Sequence, residues 1–259
     1  MMLQSRRGVA LVLVLWIVII LGGISAGVVR SARTSTGIAA NARAGVIARA
    51  AAESGIEALV AAIEDTLASF DDPAERRDWL NAFSMRTSAD SFTLGDGRFL
   101  VTVVDVSARL DVNAATESAL RTFFSQFTDP AEAAAIGAAI RARIDSGAAT
   151  REATSVLRPL TVTPIRSLEE LRTAHLVPDA ILERAVQYLT VDGDGVINSR
   201  TASDTVLVAA TGELRDEPSR LLLISRGWVS GHPLTREIQA VYALTGNRLV
   251  FSHWRERSL

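Results

Sequence analysis

The chain has 259 residues, a mean hydropathy of +0.23 and 48% hydrophobic residues. That is enough apolar material for a packed core and too much for wholesale disorder. A net charge of −2, a pI near 6.0 and no basic run beyond the first residues argue against a nucleic-acid binder, which carries a basic stripe or patch. The absence of cysteine excludes disulfides and thiolate metal sites but does not fix the compartment. All 27 basic residues are arginine, which reads as codon bias before function.

Residues 1–8 are short and polar, with charges at Arg6 and Arg7. Val9 to Val29 then runs for 21 residues without a charge, against about 20 needed to cross a hydrocarbon core. Arg30 and Arg33 follow, so arginines flank both ends and the positive-inside rule orients the span only weakly. Three readings stay open. A cleaved secretory signal has an apolar region of about 7–15 residues and a small-x-small site; Ser25-Ala26-Gly27 is a weak candidate for it. A generic single-pass anchor is the second. The third is a type IV pilin-like leader, a short basic segment ending in glycine directly before the apolar run, as in Arg6-Arg7-Gly8-Val9-Ala10-Leu11. That signal is cut on the cytoplasmic side, so the apolar helix is kept. Cutting between Gly8 and Val9 removes two arginines and takes the net charge from −2 to −4.

No proline interrupts Arg30 to Phe70, and Ile56, Leu59, Val60, Ile63, Leu67 and Phe70 fall on one helical stripe. The spacing predicts a nearly continuous rod from Val9 to Ser69, about 90 Å long. Within it, Gly23 and Gly27 form a GxxxG, which lets another helix approach closely or simply reflects the frequency of glycine in membrane helices. Asp72-Pro73 predicts a new helix, with Asp72 as N-cap and Pro73 in the first turn.

Phe92 to Val106 reads as a hairpin turning at Gly95-Asp96-Gly97. Three further strands are predicted at Leu221–Val229, Leu234–Leu244 and Arg248–Trp254. They are expected to join one antiparallel sheet on the outer half of the rod. Between them, helices are predicted at Glu117–Phe127, Pro130–Ile144, Leu168–Ala174 and Pro178–Leu189, with Ser167 opening a capping box and Asp129-Pro130 repeating the Asp-Pro start. The ends of this region carry a weak repeat, or simply two ordinary N-caps: Val112 to Leu120, and Ile197-Asn198 then Ala202 to Leu207, each with Thr or Ser before an acid. The expected class is therefore α+β: a pilin-like long N-terminal helix packed on an antiparallel sheet, with an inserted all-helical subdomain. The divisions are 1–8 leader, 9–29 transmembrane half of the helix, 30–106 first part of the pilin-like domain, 107–217 insert, and 218–259 closing strands.

Chemistry is sparse. Asp192-Gly193-Asp194-Gly195 followed by Asn198 is a fragment of a calcium loop or a tight Asp-Gly turn. His175, His232 and His253 are far apart in sequence, and no HExxH, Walker A, GxSxG or GxGxxG occurs. Leu171 to Pro178 is placed like a helix-hairpin-helix but lacks its glycines.

Together these parts resemble the K family of minor pseudopilins of bacterial type II secretion systems. The resemblance is carried by Arg7-Gly8-Val9-Ala10-Leu11, the long first helix and the paired segments Asp111 to Ala115 and Gly195 to Asn198. Ser167 to Leu171 and the closing Trp254-Arg255-Glu256 complete it. It implies no enzyme activity, cleavage between Gly8 and Val9 by prepilin peptidase, and N-methylation of Val9. It also implies an inner-membrane single-pass protein with its bulk in the periplasm. The implied place is the tip of the pseudopilus, beside minor pseudopilins I and J and then H and the major pseudopilin G. A family calcium site would fall to Asp192 and Asp194; no other cofactor is implied. Most pilin-like subunits carry Glu at the fifth mature position, where this chain has Leu13. A mid-bilayer carboxylate costs about 2.5–3.5 kcal/mol on insertion scales and is thought to pair with a neighbour's amino terminus. A terminal subunit lacks one such neighbour, so Leu13 favours the K family. The alternatives are a minor pilin of a type IV pilus and an exported hydrolase or binding protein on a plain anchor.

Overall fold

The computed structural model describes residues 5–85, 91–152 and 164–259. Helix α1 runs unbroken from Ser5 to Ala68, roughly 95 Å at 1.5 Å per residue. Thr34 and Thr36 do not interrupt it, because each hydroxyl donates back to the carbonyl four residues earlier, at 3.0 and 2.9 Å. Helix α2 (Pro73–Ser84) starts as expected, with the Asp72 carboxylate accepting from Ala74 N at 2.8 Å.

Five strands form one antiparallel sheet: β1 (Phe92–Leu94), β2 (Gly97–Asp105), β7 (Arg220–Val229), β8 (Thr235–Thr245) and β9 (Arg248–Ser258), in that spatial order. Leu94 pairs directly with Gly97, so the first turn narrows to Gly95-Asp96, with Gly95 at φ +56°. Gly246 at φ +61° does the same between β8 and β9, where Thr245 pairs with Arg248. These are positions where only glycine turns without steric cost. Strand β9 runs four residues past the expected end, to Ser258.

The insert leaves the sheet after Asp105 and returns at Arg220. Asp105 lies opposite Leu221 in the β2–β7 ladder, so exit and re-entry are neighbours and a long insertion leaves the sheet intact. The inserted lobe holds α3 (Glu117–Phe124), α4 (Pro130–Glu152), α5 (Leu168–Thr173), α6 (Asp179–Ala185) and α7 (Asp204–Val208). Two short parallel pairs accompany them: β3 (Leu110–Asp111) with β4 (Leu189–Thr190), and β5 (Ile197–Asn198) with β6 (Leu214–Arg215).

Several local expectations change. Helix α3 ends at Phe124, three residues early, while α4 continues to Glu152. The Pro178–Leu189 helix divides into α6 and a 3-10 turn over Val186–Tyr188. Ser167 makes no side-chain cap; its intended partner Glu170 accepts instead from Arg166 N at 3.1 Å and pairs with Arg143 at 2.5 Å. Thr116 does cap α3, accepting from Ala119 N at 3.2 Å, but Ser203 makes no such bond on α7. His175 takes φ +52° between α5 and α6, the left-handed conformation that a hairpin glycine would adopt freely.

Two cores result. One lies between α1, α2 and the sheet, with Ile56, Ile63, Leu67, Leu80, Leu221 and Ile238 buried. The other fills the lobe, around Leu120, Phe123, Phe124, Ile140, Leu171 and Leu189. The seat of α1 on the sheet is made mainly of small residues, with Ile47 half-buried beside Gly97. Ala44, Ala48, Ala51, Ala52 and Gly55 are buried against the strands, and Gly227 of β7 receives the helix backbone. A Cβ on Gly227 would sit 2.0 Å from Ala48 O and 2.6 Å from Ala52 N.

Gly227→Ala is therefore expected to destabilise the fold by about 3 kcal/mol or more, the upper end of overpacking costs, because backbone cannot yield as a side chain does. Gly37, in the exposed stretch of α1, has nothing within 4 Å of a Cβ; Gly37→Ala should be neutral or stabilise by up to about 1 kcal/mol. Urea unfolding of the two variants checks both.

Candidate functional site

The sequence points to the lower half of α1 before any pocket. Every residue from Val12 to Val29 is exposed, Leu13 at 57%, and the helix is long and apolar enough to cross a membrane. Arg6, Arg7, Gly8 and Val9 lie in the first turns of this helix; their side chains fall outside the described residues. Gly23 and Gly27 have nothing within 4 Å of where a Cβ would stand. Their GxxxG face is thus bare and flat enough for a second helix to come close.

A second concentration of chemistry lies where the lobe meets the sheet. Strand alternation divides the closing Trp254-Arg255-Glu256 between two faces. On the α1 side, the Arg49 guanidinium lies 5.6 Å from the Trp254 ring centroid, and Glu256 is 3.7 Å from Arg49. On the lobe side, Arg255 and His253 both reach Asp192, the His253 Nε2 at 3.0 Å. Asp192 is 7% exposed, so these partners compensate a nearly desolvated charge. Arg220 adds a bond to Asp192 O at 3.1 Å and an ion pair with Asp194 at 3.4 Å. Ser219 Oγ also donates to Asp194 Oδ1 at 3.0 Å.

Asp192 and Asp194 are directed to different cationic partners, and no group of three or more His, Cys, Asp or Glu converges among the described residues. Asp194 also accepts from Val196 N at 3.2 Å, as an Asx turn does. His253, placed by sequence in an unremarkable strand, is brought to Asp192 by the fold. His232 instead meets Asn41 of α1 at 3.1 Å.

The two asparagines of the repeat are joints. Asn113 Oδ1 accepts from Ile165 N at 2.8 Å, and its amide donates to Ile165 O at 3.0 Å. Asn198, fully buried, donates to Asn81 Oδ1 and Asp105 Oδ2, both at 2.8 Å. Asp105 also accepts from Ser107 N at 2.8 Å and Thr201 Oγ1 at 2.6 Å. One carboxylate at the end of β2 thereby ties α2, the β5 segment and the sheet together. Sequence reasoning missed Asp105, Asn81 and Thr201; the only signal was a lone acid ending a β-branched strand. A separate apolar groove of about 400 Å³ runs between α1 and β2, lined by Leu59, Ala62, Phe83, Phe92 and Phe99.

No family model matches this sequence, and no curated protein matches it. Among solved structures, the fold is similar to a chain in the crystal structure of the GspK-GspI-GspJ complex from the enterotoxigenic Escherichia coli type 2 secretion system. The TM-score is 0.60 at 15% identity, covering 86% of this chain and 99% of the other. The likeness supports a pseudopilin-like α+β fold: a long N-terminal helix on an antiparallel sheet, with further helices.

Burial raises the Asp105 carboxyl above its ordinary value, and its hydrogen bonds offset this only in part. Asp111 is raised for the same leading reason. A raised carboxyl holds its proton more tightly folded than unfolded. Its contribution to stability is present below the ordinary value of about 3.9 and is lost as pH rises through the raised one. Unfolding free energy measured by urea from pH 4 to 7 should carry this downward slope, and Asp105→Asn should flatten it.

Proposed function

We propose that this chain is a minor pseudopilin at the tip of a type II secretion pseudopilus, where it initiates or caps the filament that drives protein export. The observation carrying the proposal is the two-part use of α1. Its upper half is seated on its own sheet through a small-residue seam, while its lower half is bare, apolar and long enough to span a bilayer. A subunit so built keeps its membrane helix available to other helices. The fold likeness to a chain of the GspK-GspI-GspJ complex supports the same reading.

Prepilin peptidase cuts between Gly8 and Val9, and the new amino group on Val9 is methylated. Val9 to Val29 holds the protein in the inner membrane, and the bulk stands in the periplasm. The Gly23–Gly27 face is open to a neighbouring anchor, and the subunit stands beside minor pseudopilins I and J, with H and the major pseudopilin G following below. Leu13 in place of a carboxylate suits an end position, where one neighbouring amino terminus is missing. The work is association: the clustered charges of the lobe junction pair with one another inside the protein.

Deleting the gene should abolish exoprotein release and leave twitching motility intact; normal secretion with lost twitching would move the chain to a type IV pilus. Mass spectrometry of the mature protein should find a methylated Val9 start. Gly8→Glu should leave the precursor at full length, and normal maturation of that variant would disprove the leader assignment. An intact Met1 or a cut near Gly27 in the native protein would favour a plain anchor or a secretory signal.

A further inference from the structure

The first 52 residues carry six arginines and no carboxylate; Glu53 is the first acid in the chain. Two of those arginines, Arg30 and Arg33, stand directly after the apolar span. The 21 residues from Val9 to Val29 cover about 30 Å of hydrocarbon, and the headgroup layer beyond adds roughly 5–7 Å on each side. Arg30 and Arg33 lie about 1.5 and 6 Å past Val29 along the axis, so both fall within that layer. Spaced three apart, they share a helix face. That face is an open, shallow surface formed by Ser25, Ala26, Val29, Arg30, Arg33 and Thr34 on this one helix.

Among the described residues this charge meets no counter-charge. No described carboxylate pairs with Arg30 or Arg33. Asp96 meets Arg43 at 3.6 Å, about 15 Å further up the rod and beyond a Debye length of roughly 8 Å. Thr34 spends its hydroxyl proton on the Arg30 carbonyl, leaving the guanidinium groups as the charged donors of this surface. Elsewhere in the molecule arginine is commonly matched to an acid, as at Arg49, Arg76, Arg143, Arg220 and Arg255. Arginines on the translocated side of a span also run against the usual distribution of charge. Their counter-charge has to come from outside, and the group present at that depth is lipid phosphate, which guanidinium binds through paired N–H donors.

We propose that Arg30 and Arg33 form a headgroup site for an anionic phospholipid in the leaflet facing the globular domain, with an acyl chain lying along Ala26 and Ser25. This rests on the reading of Val9 to Val29 as a membrane span. The bound lipid holds the neck of the rod at a fixed depth, and releasing it is a step the subunit must take on leaving the bilayer for a filament.

The test uses the mature chain starting at Val9, which lacks Arg6 and Arg7, in mild-detergent micelles holding equal phosphatidylglycerol and phosphatidylcholine, with retained lipids counted by native mass spectrometry. Phosphatidylglycerol should be retained in excess, and the excess should collapse in 0.5 M NaCl. Each of Arg30→Gln and Arg33→Gln should weaken its apparent affinity about fivefold, since a surface arginine contributes about that factor. The double variant should show no preference, at unchanged helix content by circular dichroism, while Arg43→Gln keeps it. Equal retention of both lipids by the native chain overturns the site and points to a neighbouring rod's carboxylates as the counter-charge. A preference that survives in the double variant overturns it too. If alkaline carbonate strips the protein from cell membranes, the span reading falls as well, which separates the two failures.

Discussion

The close approach of α1 to strand β7 is the constraint on which the rest of the molecule depends. A helix packed on a sheet through large side chains stands well off the strands. Here Gly227 admits the backbone of Ala48 and Ala52 almost to contact. Gly55 repeats the device one turn and a half further on, where a Cβ would meet Ser225 Oγ at 2.6 Å. Below this seam the same helix is bare; above it the helix swells into the Ile56–Leu67 stripe and closes the core. A rigid, undivided helix with one end clamped so tightly is what lets a globular head and a bare apolar rod move as one body.

The lobe is held by a different kind of force. Its apolar core does not merge with that of the helix and sheet. The seam between them is largely polar: Asp192 with Arg255 and His253, Asp105 with Asn198 and Thr201, Ser107 with Ser219 at 2.8 Å. Such contacts are directional and demand their geometry. They fix the lobe's orientation more than they add to its stability, because a desolvated ion pair roughly repays its own cost. Strand β9 is the hub. Its alternate residues reach α1 through Trp254 and Glu256 and the lobe through His253 and Arg255, so the last strand in the chain sets both relationships at once.

Seen this way, the proposed tip role asks nothing of the molecule beyond what its parts do. The seated half of α1 transmits position, the bare half offers itself to other helices, and the lobe presents a separately cored body away from the rod. The arginines at the neck mark the boundary between the halves. Among the described residues they meet no carboxylate, while many other arginines of the protein do.

The sequence by itself determined the elements governed by local rules. The rod followed from an unbroken proline-free run, the Asp72 and Asp129 caps from Asp-Pro pairs that bond their own next turn, and the C-terminal hairpins from alternation and glycine turns. The bare apolar half of α1 was legible for the same reason, since 21 uncharged residues need no partner to be read. What only the tertiary structure decided were interactions between distant residues whose local sequence is unremarkable. The Ala44–Gly55 seat looked like low-information helix because small residues signal packing only once Gly227 lies opposite. Ser167 looked like the start of a capping box, but the Glu170 carboxylate is bound by Arg143 and Arg166 N, and Ser167 makes no side-chain cap. His253, Asp105 and Asn198 acquired their roles because the chain brings together carboxylates, amides and guanidinium groups more than 60 residues apart, and burial makes pairing them obligatory. Local hydrogen bonds and periodicity are written in neighbouring residues; compensation of buried charge and the approach of one backbone to another exist only after the chain has folded.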